Sequence, residues 1–248
     1  MSGLHRDRVV GLYRDNAVVL RSWKLGEADR IVSLMTQQNG KIRCVAKGVR
    51  KTKSRFGASV EPTNHLEVQL YRGKGELDTL TQVQSIDRFP VLREDLELFA
   101  RASSMLEAVE LVAQDREPNE PLYTMLARAM HTVTQSESHL VVAGFFLKLL
   151  AQEGFAPSVD VCVLCGATTN LTHFSVGDGG TTCVSCHAGT AISVDALALM
   201  QLALGGQLGA VLNQVASPGT REFDILSTRL MEHMLERRLR SASVLEQT

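Results

Sequence analysis

Apolar and polar positions follow two different periods along this chain, and the change falls near Phe89. Up to about residue 86 the apolar residues come in short runs with a period of two, the mark of half-buried strands. Tyr13 to Trp23 carries an AVVLRSW core rich in β-favouring residues. Ile31 to Thr36 and Lys41 to Ala46 flank Gln37-Gln38-Asn39-Gly40, and Asn-Gly between two apolar runs is a hairpin signal. His65 to Tyr71 alternates as LEVQLY, a turn over Arg72-Gly73-Lys74-Gly75 follows, and a last strand is expected near Leu80 to Ile86. Five short strands in so short a span predict a small closed or partly closed barrel, of which the OB-fold is the commonest nucleic-acid binder.

From Phe89 onward the period is helical. Leu96, Phe99, Ala102, Leu106 and Val109 recur at threes and fours, and Val112 closes that segment. Asp115 to Pro121 is a polar break, after which helices are predicted over Leu122 to Thr134 and His139 to Glu153, the latter stopping at Gly154. Two more are expected over Ser193 to Leu204 and Thr220 to Arg240, separated by a Gly-rich turn and Ser217-Pro218-Gly219. The methionines on these faces (Met125, Met130, Met200, Met231, Met234) read as core.

Charge changes the picture of the strand region. The whole chain has a formal net charge of -1, yet residues 1 to 75 carry 15 basic and 6 acidic side chains, while the rest is acidic. Within the basic part, Lys41, Arg43, Lys47, Arg50, Lys51, Lys53 and Arg55 fall in fifteen positions without an acid. Such a run points to a polyanion, nucleic acid first, and Arg72 and Lys74 in the neighbouring turn extend it. The plainer reading is a solvated face, or cations paired with the acidic part of the chain. Aromatic residues make up only 5% and Trp23 is the only tryptophan, so binding is expected to rest on charge more than stacking. Phe56 and Tyr71 are the rings placed to touch bases, and each also reads as core. The arginines Arg237, Arg238 and Arg240 suit either a helix C-terminus or a second DNA contact.

The cysteines add a metal. Cys162, Cys165, Cys183 and Cys186 form CxxC, seventeen residues, then CxxC, the pattern of a tetrahedral zinc site closed by four thiolates. A closed sphere has no open position for a catalytic water, so one structural Zn²⁺ is expected, with His173 and His187 as bystanders. A pair of disulfides or free thiols is the alternative, the disulfides being less suited to a reducing compartment. Cys44 reads as a small buried hydrophobe. The opening MSGLHRDRVV is too charged for a secretory signal, and no apolar run spans a membrane, so the expected location is cytoplasmic and nucleoid-associated.

Several chemistries are missing. There is no GxxxxGK[ST] phosphate loop, and Gly73-Lys74-Gly75 is too short to imitate one; HExxH, HxE with PCxxC, and GxSxG are also missing. No nucleotide site, zinc protease, deaminase or serine hydrolase is therefore expected, and no catalytic residue is assigned. A metal-dependent nuclease using scattered acids, or a zinc-ribbon and OB-fold transcription-type factor, are the alternative readings.

The segments GEADRIVSLMT (Gly26 to Thr36), GKIRCVAKGVRKTKSRFG (Gly40 to Gly57) and LEVQLYRGKGELDTLTQ (Leu66 to Gln82) resemble the bacterial RecO family of recombination mediators. CVLCG, CVSCH and the terminal HMLERRLRS follow in the matching order, and the actinobacterial type is nearest in character. The resemblance implies an N-terminal OB-fold, a helical domain with a zinc-binding insertion, and a non-enzymatic role in the RecFOR pathway of DNA repair. Such proteins bind single- and double-stranded DNA, anneal complementary strands and, with RecR, help load RecA onto strands coated by SSB, whose acidic C-terminal tail docks on the helical domain. Arg128 and Arg237 are candidates for that tail. The expected architecture is thus α+β and multidomain: residues 1–86 an OB-fold that binds DNA, 87–156 the first part of a helical domain, 157–191 the four-cysteine zinc-binding insertion, and 192–248 the closing helices.

Overall fold

Alternation decides which way each side chain of the first strands faces. In β3 (Gly40–Ala46) Ile42, Cys44 and Ala46 are buried, whereas Arg43 is exposed and Lys41 and Val45 are partly so. The same alternation runs through most of β4 (His65–Arg72) and β5 (Asp78–Asp87), whereas β1 (Gly11–Leu25) and β2 (Asp29–Thr36) are buried on both faces over Ala17–Leu20 and Val32–Thr36. These five strands of the computed structural model, which describes residues 11–51, 54 and 56–241, close into a barrel in the order β1-β2-β3-β5-β4. All neighbours are antiparallel except β3 and β5, which meet in parallel at Cys44 with Asp78 and Val45 with Thr79. The predicted five-stranded OB-type barrel is therefore present.

Two local devices shape it. β1 is long enough to serve both neighbours because a bulge between Val19 and Arg21 resets its register against β2 and adds twist. Gly40 closes the β2–β3 hairpin at φ +69°, and a Cβ there would lie 1.8 Å from the Glu117 carbonyl oxygen, so only glycine fits.

The barrel interior holds Ala17, Val19, Val32, Leu34, Ile42, Cys44, Leu66, Val68, Leu70 and Leu80. The linker between β3 and β4, which carries the basic run, also adds to this core: Phe56 is 2% exposed and Val60, in a 3-10 turn over Gly57–Val60, is fully buried. Burying a phenylalanine in this way contributes about 2 kcal/mol.

By compactness the chain divides into two units. One takes residues up to Pro90 together with Val109–Ala127, and the other takes Val91–Ala108 and everything from Arg128 on. Six α-helices occur among the described residues: α1 (Leu96–Val112), α2 (Glu120–Gln135), α3 (Val141–Gln152), α4 (Val194–Leu204), α5 (Leu208–Leu212) and α6 (Pro218–Met234). In the second unit α3 is buried on nearly all sides, with only Lys148 of Val141–Leu150 exposed, and it packs against α4, α5 and α6. α6 starts from a capping box between Ser217 and Thr220 with Pro218 in its first turn.

Two helical expectations change. The Gly-rich stretch read as a turn contains the short helix α5, whose Leu208 sits against Gly144 of α3. α6 ends at Met234 instead of running to Arg240, since Glu236 takes a left-handed φ of 53°. The backbone N–H groups of Arg240 and Ser241 then donate to the Glu107 carboxylate. No helix among the described residues is long and apolar enough to cross a membrane.

Candidate nucleic-acid interface and metal centre

The register of β1, β2 and β3 defines the outer face of the barrel opposite its core. Arg21 lies beside Ser33, which lies beside Arg43; one step along, Trp23 lies beside Ile31, which lies beside Val45. The lower part of this face is covered within the same unit. The Ser33 hydroxyl donates to the Glu110 carboxylate, and Lys41 Nζ donates to the Glu110 carbonyl at 2.8 Å.

Asp115, in the loop after α1, divides the basic run. It takes Arg43 Nη2 at 2.6 Å and Lys41 Nζ at 3.4 Å. Lys41 keeps only 12% of its side chain exposed, Arg43 44%. By contrast, Lys47, Arg50 and Lys51 are exposed and none makes an ion pair among the described residues. Their loop is anchored by backbone: Arg50 N–H donates to the Ala28 carbonyl at 3.0 Å, Gly48 N–H to the Asp29 carboxylate at 2.7 Å, and the Arg50 guanidinium to the Gly26 carbonyl. Lys53 and Arg55 lie outside the described residues.

Arg72 and Lys74 also part company. Lys74 is exposed in its turn, whereas Arg72 is 23% exposed and sits over the Tyr13 ring with Nε 3.9 Å from Asp78. Asp78 is fully buried and gathers Tyr13, Arg72 and Arg116; Arg116 Nη2 donates to it at 2.8 Å. Burial, reinforced by the Asp78 hydrogen bond, pushes the Tyr13 hydroxyl well above the usual tyrosine range, and the same carboxylate raises Arg116. Burial first, then Asp78, raises the Cys44 thiol too, which keeps it protonated and unreactive. Asp78, Asp115 and Arg116 are thus the residues that shape the interface without having been predicted. Arg116 lies 38 residues from Asp78 and Asp115 lies 72 from Arg43, so only an acid followed by a cation in the Asp115–Pro121 break hinted at them. Of the rings, Phe56 is in the core and Tyr71 is 43% exposed on β4.

In the second unit the cysteine segment folds as two knuckles on a small sheet of β6 (Leu171–Ser175), β7 (Gly180–Cys183) and β8 (Thr190–Ala191), order β7-β6-β8. The GDGGTT sequence (Gly177 to Thr182), which by its composition suggests a loop, thus gives its last three residues to β7. In the first knuckle Gly166 N–H donates to the Cys162 carbonyl at 2.8 Å, with Gly166 at φ +77°. The second repeats it with His187 N–H on the Cys183 carbonyl at 2.9 Å and His187 at φ 49°. His187 occupies the glycine position of its knuckle, and its ring lies tilted by 53° against His173 with centroids 4.0 Å apart.

The four Sγ atoms of Cys162, Cys165, Cys183 and Cys186 lie within 4.8 Å of one another. The Cys165 and Cys183 sulfurs are 3.7 Å apart, against about 2.05 Å for a disulfide. A tetrahedral ion with metal–sulfur bonds of about 2.3 Å would hold its sulfurs about 3.8 Å apart, so the cage fits a metal ion. Burial raises the Cys162 thiol, but backbone N–H groups of Cys183, Leu164 and Cys165 outweigh it and bring it down to about 6. Cys186, hydrogen-bonded to Cys165, Cys183 and Cys162, is pushed up to about 12. Crowded sulfurs cannot all ionise alone, and a cation would draw off the remaining protons. The cluster is tied to α4 by the Gln201 amide, which donates to the Val159 carbonyl and to Asp160.

Two family descriptions match almost end to end: Recombination protein O N terminal over residues 10–89, and Recombination protein O C terminal over residues 93–243. The chain is 38% identical over 244 residues to the DNA repair protein RecO of Cutibacterium acnes, covering 94% of this chain and 98% of that one. It is 37% identical over 244 residues to the DNA repair protein RecO of a Nocardioides species, covering 95% and 99%. A barrel of OB type, a helical region, a four-cysteine cage in the expected order and matches of this extent agree, and the chain belongs to the RecO family of DNA repair proteins.

Proposed function

We propose that this protein is a non-enzymatic DNA-binding recombination mediator that grips sugar-phosphate backbones by charge. The observation that carries the reading is the loop with Lys47, Arg50 and Lys51, exposed, without ion pairs among the described residues and held against the β1–β2 hairpin. Phosphate neutralisation by these cations, with Arg43 and Lys74 at the margins, releases counterions and favours single- and double-stranded DNA alike. Two strands held with their charge screened can pair, which is strand annealing. RecR, the SSB tail and, through them, RecA are the partners this role calls for; exposed Arg128 and Arg237 suit an acidic tail. Lys41 and Arg72 serve the fold more than the ligand, since carboxylates engage both and their side chains are mostly buried, whereas Arg43, also held by Asp115, keeps 44% of its side chain exposed.

In the same reading the thiolate cage holds one structural Zn²⁺, and the barrel (1–86), the helical parts (87–156, 192–248) and the insertion (157–191) are the working domains. The protein acts from the cytoplasm, at the nucleoid. The test is a triple charge reversal, Lys47→Glu, Arg50→Glu and Lys51→Glu, followed by binding of labelled single-stranded and duplex DNA over a salt series. Affinity should fall about 100-fold at low salt and the log–log salt slope should shrink by about three. Unchanged binding with an unchanged circular dichroism spectrum would reject the assignment.

A further inference from the structure

Trp23 is the only tryptophan of the chain, and it stands on the outer face of the sheet instead of in a core. Cross-strand pairing puts it with Ile31 and Val45, all three partly exposed, and Leu25 one pleat on is 39% exposed. This small apolar strip is bordered by cations: Arg21, whose guanidinium lies 5.6 Å from the Trp23 ring centroid, and Arg43 across the sheet. Lys47 and Arg50 follow on the adjoining loop, which is bonded to the hairpin at Gly26 and Ala28. Arg21 is exposed and makes no ion pair among the described residues, so it can exchange the ring for a phosphate.

We infer that Trp23 is a base-stacking platform for single-stranded nucleic acid, flanked by Arg21 and Arg43 as phosphate contacts. The occupant follows from charge and shape together. An apolar strip alone would fit a protein, but one bordered by cations suits a chain of alternating phosphates and flat bases. The inference rests on the charge-based reading above and adds the distinction between single strands and duplex that charge alone does not make, because duplex bases are already stacked.

The single tryptophan makes the test direct. Full-length protein is titrated with fluorescein-labelled oligothymidylate at low salt, reading both label anisotropy and intrinsic fluorescence, and again with a blunt duplex. Single-strand binding should quench the Trp23 emission, whereas the duplex should bind with little quenching. Trp23→Ala should weaken oligothymidylate binding about tenfold and leave duplex binding within about twofold, and Trp23→Phe should retain most of the affinity. Anisotropy that rises with no change in emission, or equal quenching by duplex, would overturn the stacking role while leaving charge-based binding intact. No rise in anisotropy with either DNA would reject both.

Discussion

The cysteine cage and the basic face of the barrel reach their geometry by different routes. In the cage each knuckle is built within a few residues: a carbonyl at Cys162 or Cys183 meets the N–H four residues on, and a left-handed residue turns the chain. The basic face is sorted over long distances. Seven cations adjacent in sequence divide into a pair taken up by Asp115, a trio left open and two outside the described residues, and the acid that divides them lies 72 residues from Arg43. A short-range site can be read from spacing, but a surface charge takes its value from whatever folds against it.

The largest effect that would break this comparison is on the cage. Cys162→Ser or Cys183→Ser should abolish stoichiometric metal content and lower stability by several kcal/mol, checked by metal analysis and thermal unfolding. Next in size is the long-range side: Asp78→Ala leaves Arg72 and Arg116 without their carboxylate and should cost about 3 kcal/mol in a denaturant titration. An undiminished midpoint would mean that this buried group holds nothing together.

A third test uses pH within the helical unit. Burial pushes the Asp224 carboxyl up to about 6, with Arg101 pulling it back down. The folded chain therefore holds this proton more tightly than the unfolded one, so the penalty is absent below about pH 4, grows as pH rises through about 6, and is constant above. Asp224→Asn should gain about 1–3 kcal/mol at about pH 8 and nothing at about pH 4, measured by denaturant unfolding at both values. The smallest change sharpens the division of the cations. Asp115→Asn frees Arg43 on a surface where exposed pairs are worth under about 1 kcal/mol, so DNA affinity should rise only about two- to fivefold. A loss of affinity would mean that Asp115 orients Arg43 for the phosphate instead of competing with it.

Much of this is legible in the amino-acid order. Period-two runs bracket Tyr13 to Ile86, the Asn39-Gly40 turn closes the β2–β3 hairpin as expected, and the CxxC pairs meet in one cage. Where that reading falls short, tertiary context prevails over local signal. Phe56, which reads both as a base contact and as core, is settled as core only by the fold, whereas Tyr71 with the same double reading stays 43% exposed. The region around Gly205 and Gly206 reads as a turn, yet it leads into α5, a helix of five residues, too short to show a period. The basic tail reads as helical because its composition is, but a left-handed Glu236 ends α6 first.

By itself, then, the amino-acid order determined what neighbours decide: the alternation that makes strands, the turns, the helix starts and the spacing that lets two knuckles share an ion. Only the folded chain decided which cations stay open to a polyanion, that Asp78 becomes a buried hub, and that the lone tryptophan faces outward beside Arg21. The physical reason is range. Backbone geometry and capping act over a few residues, while the worth of a charge or a ring depends on burial and partners that the chain brings from far away.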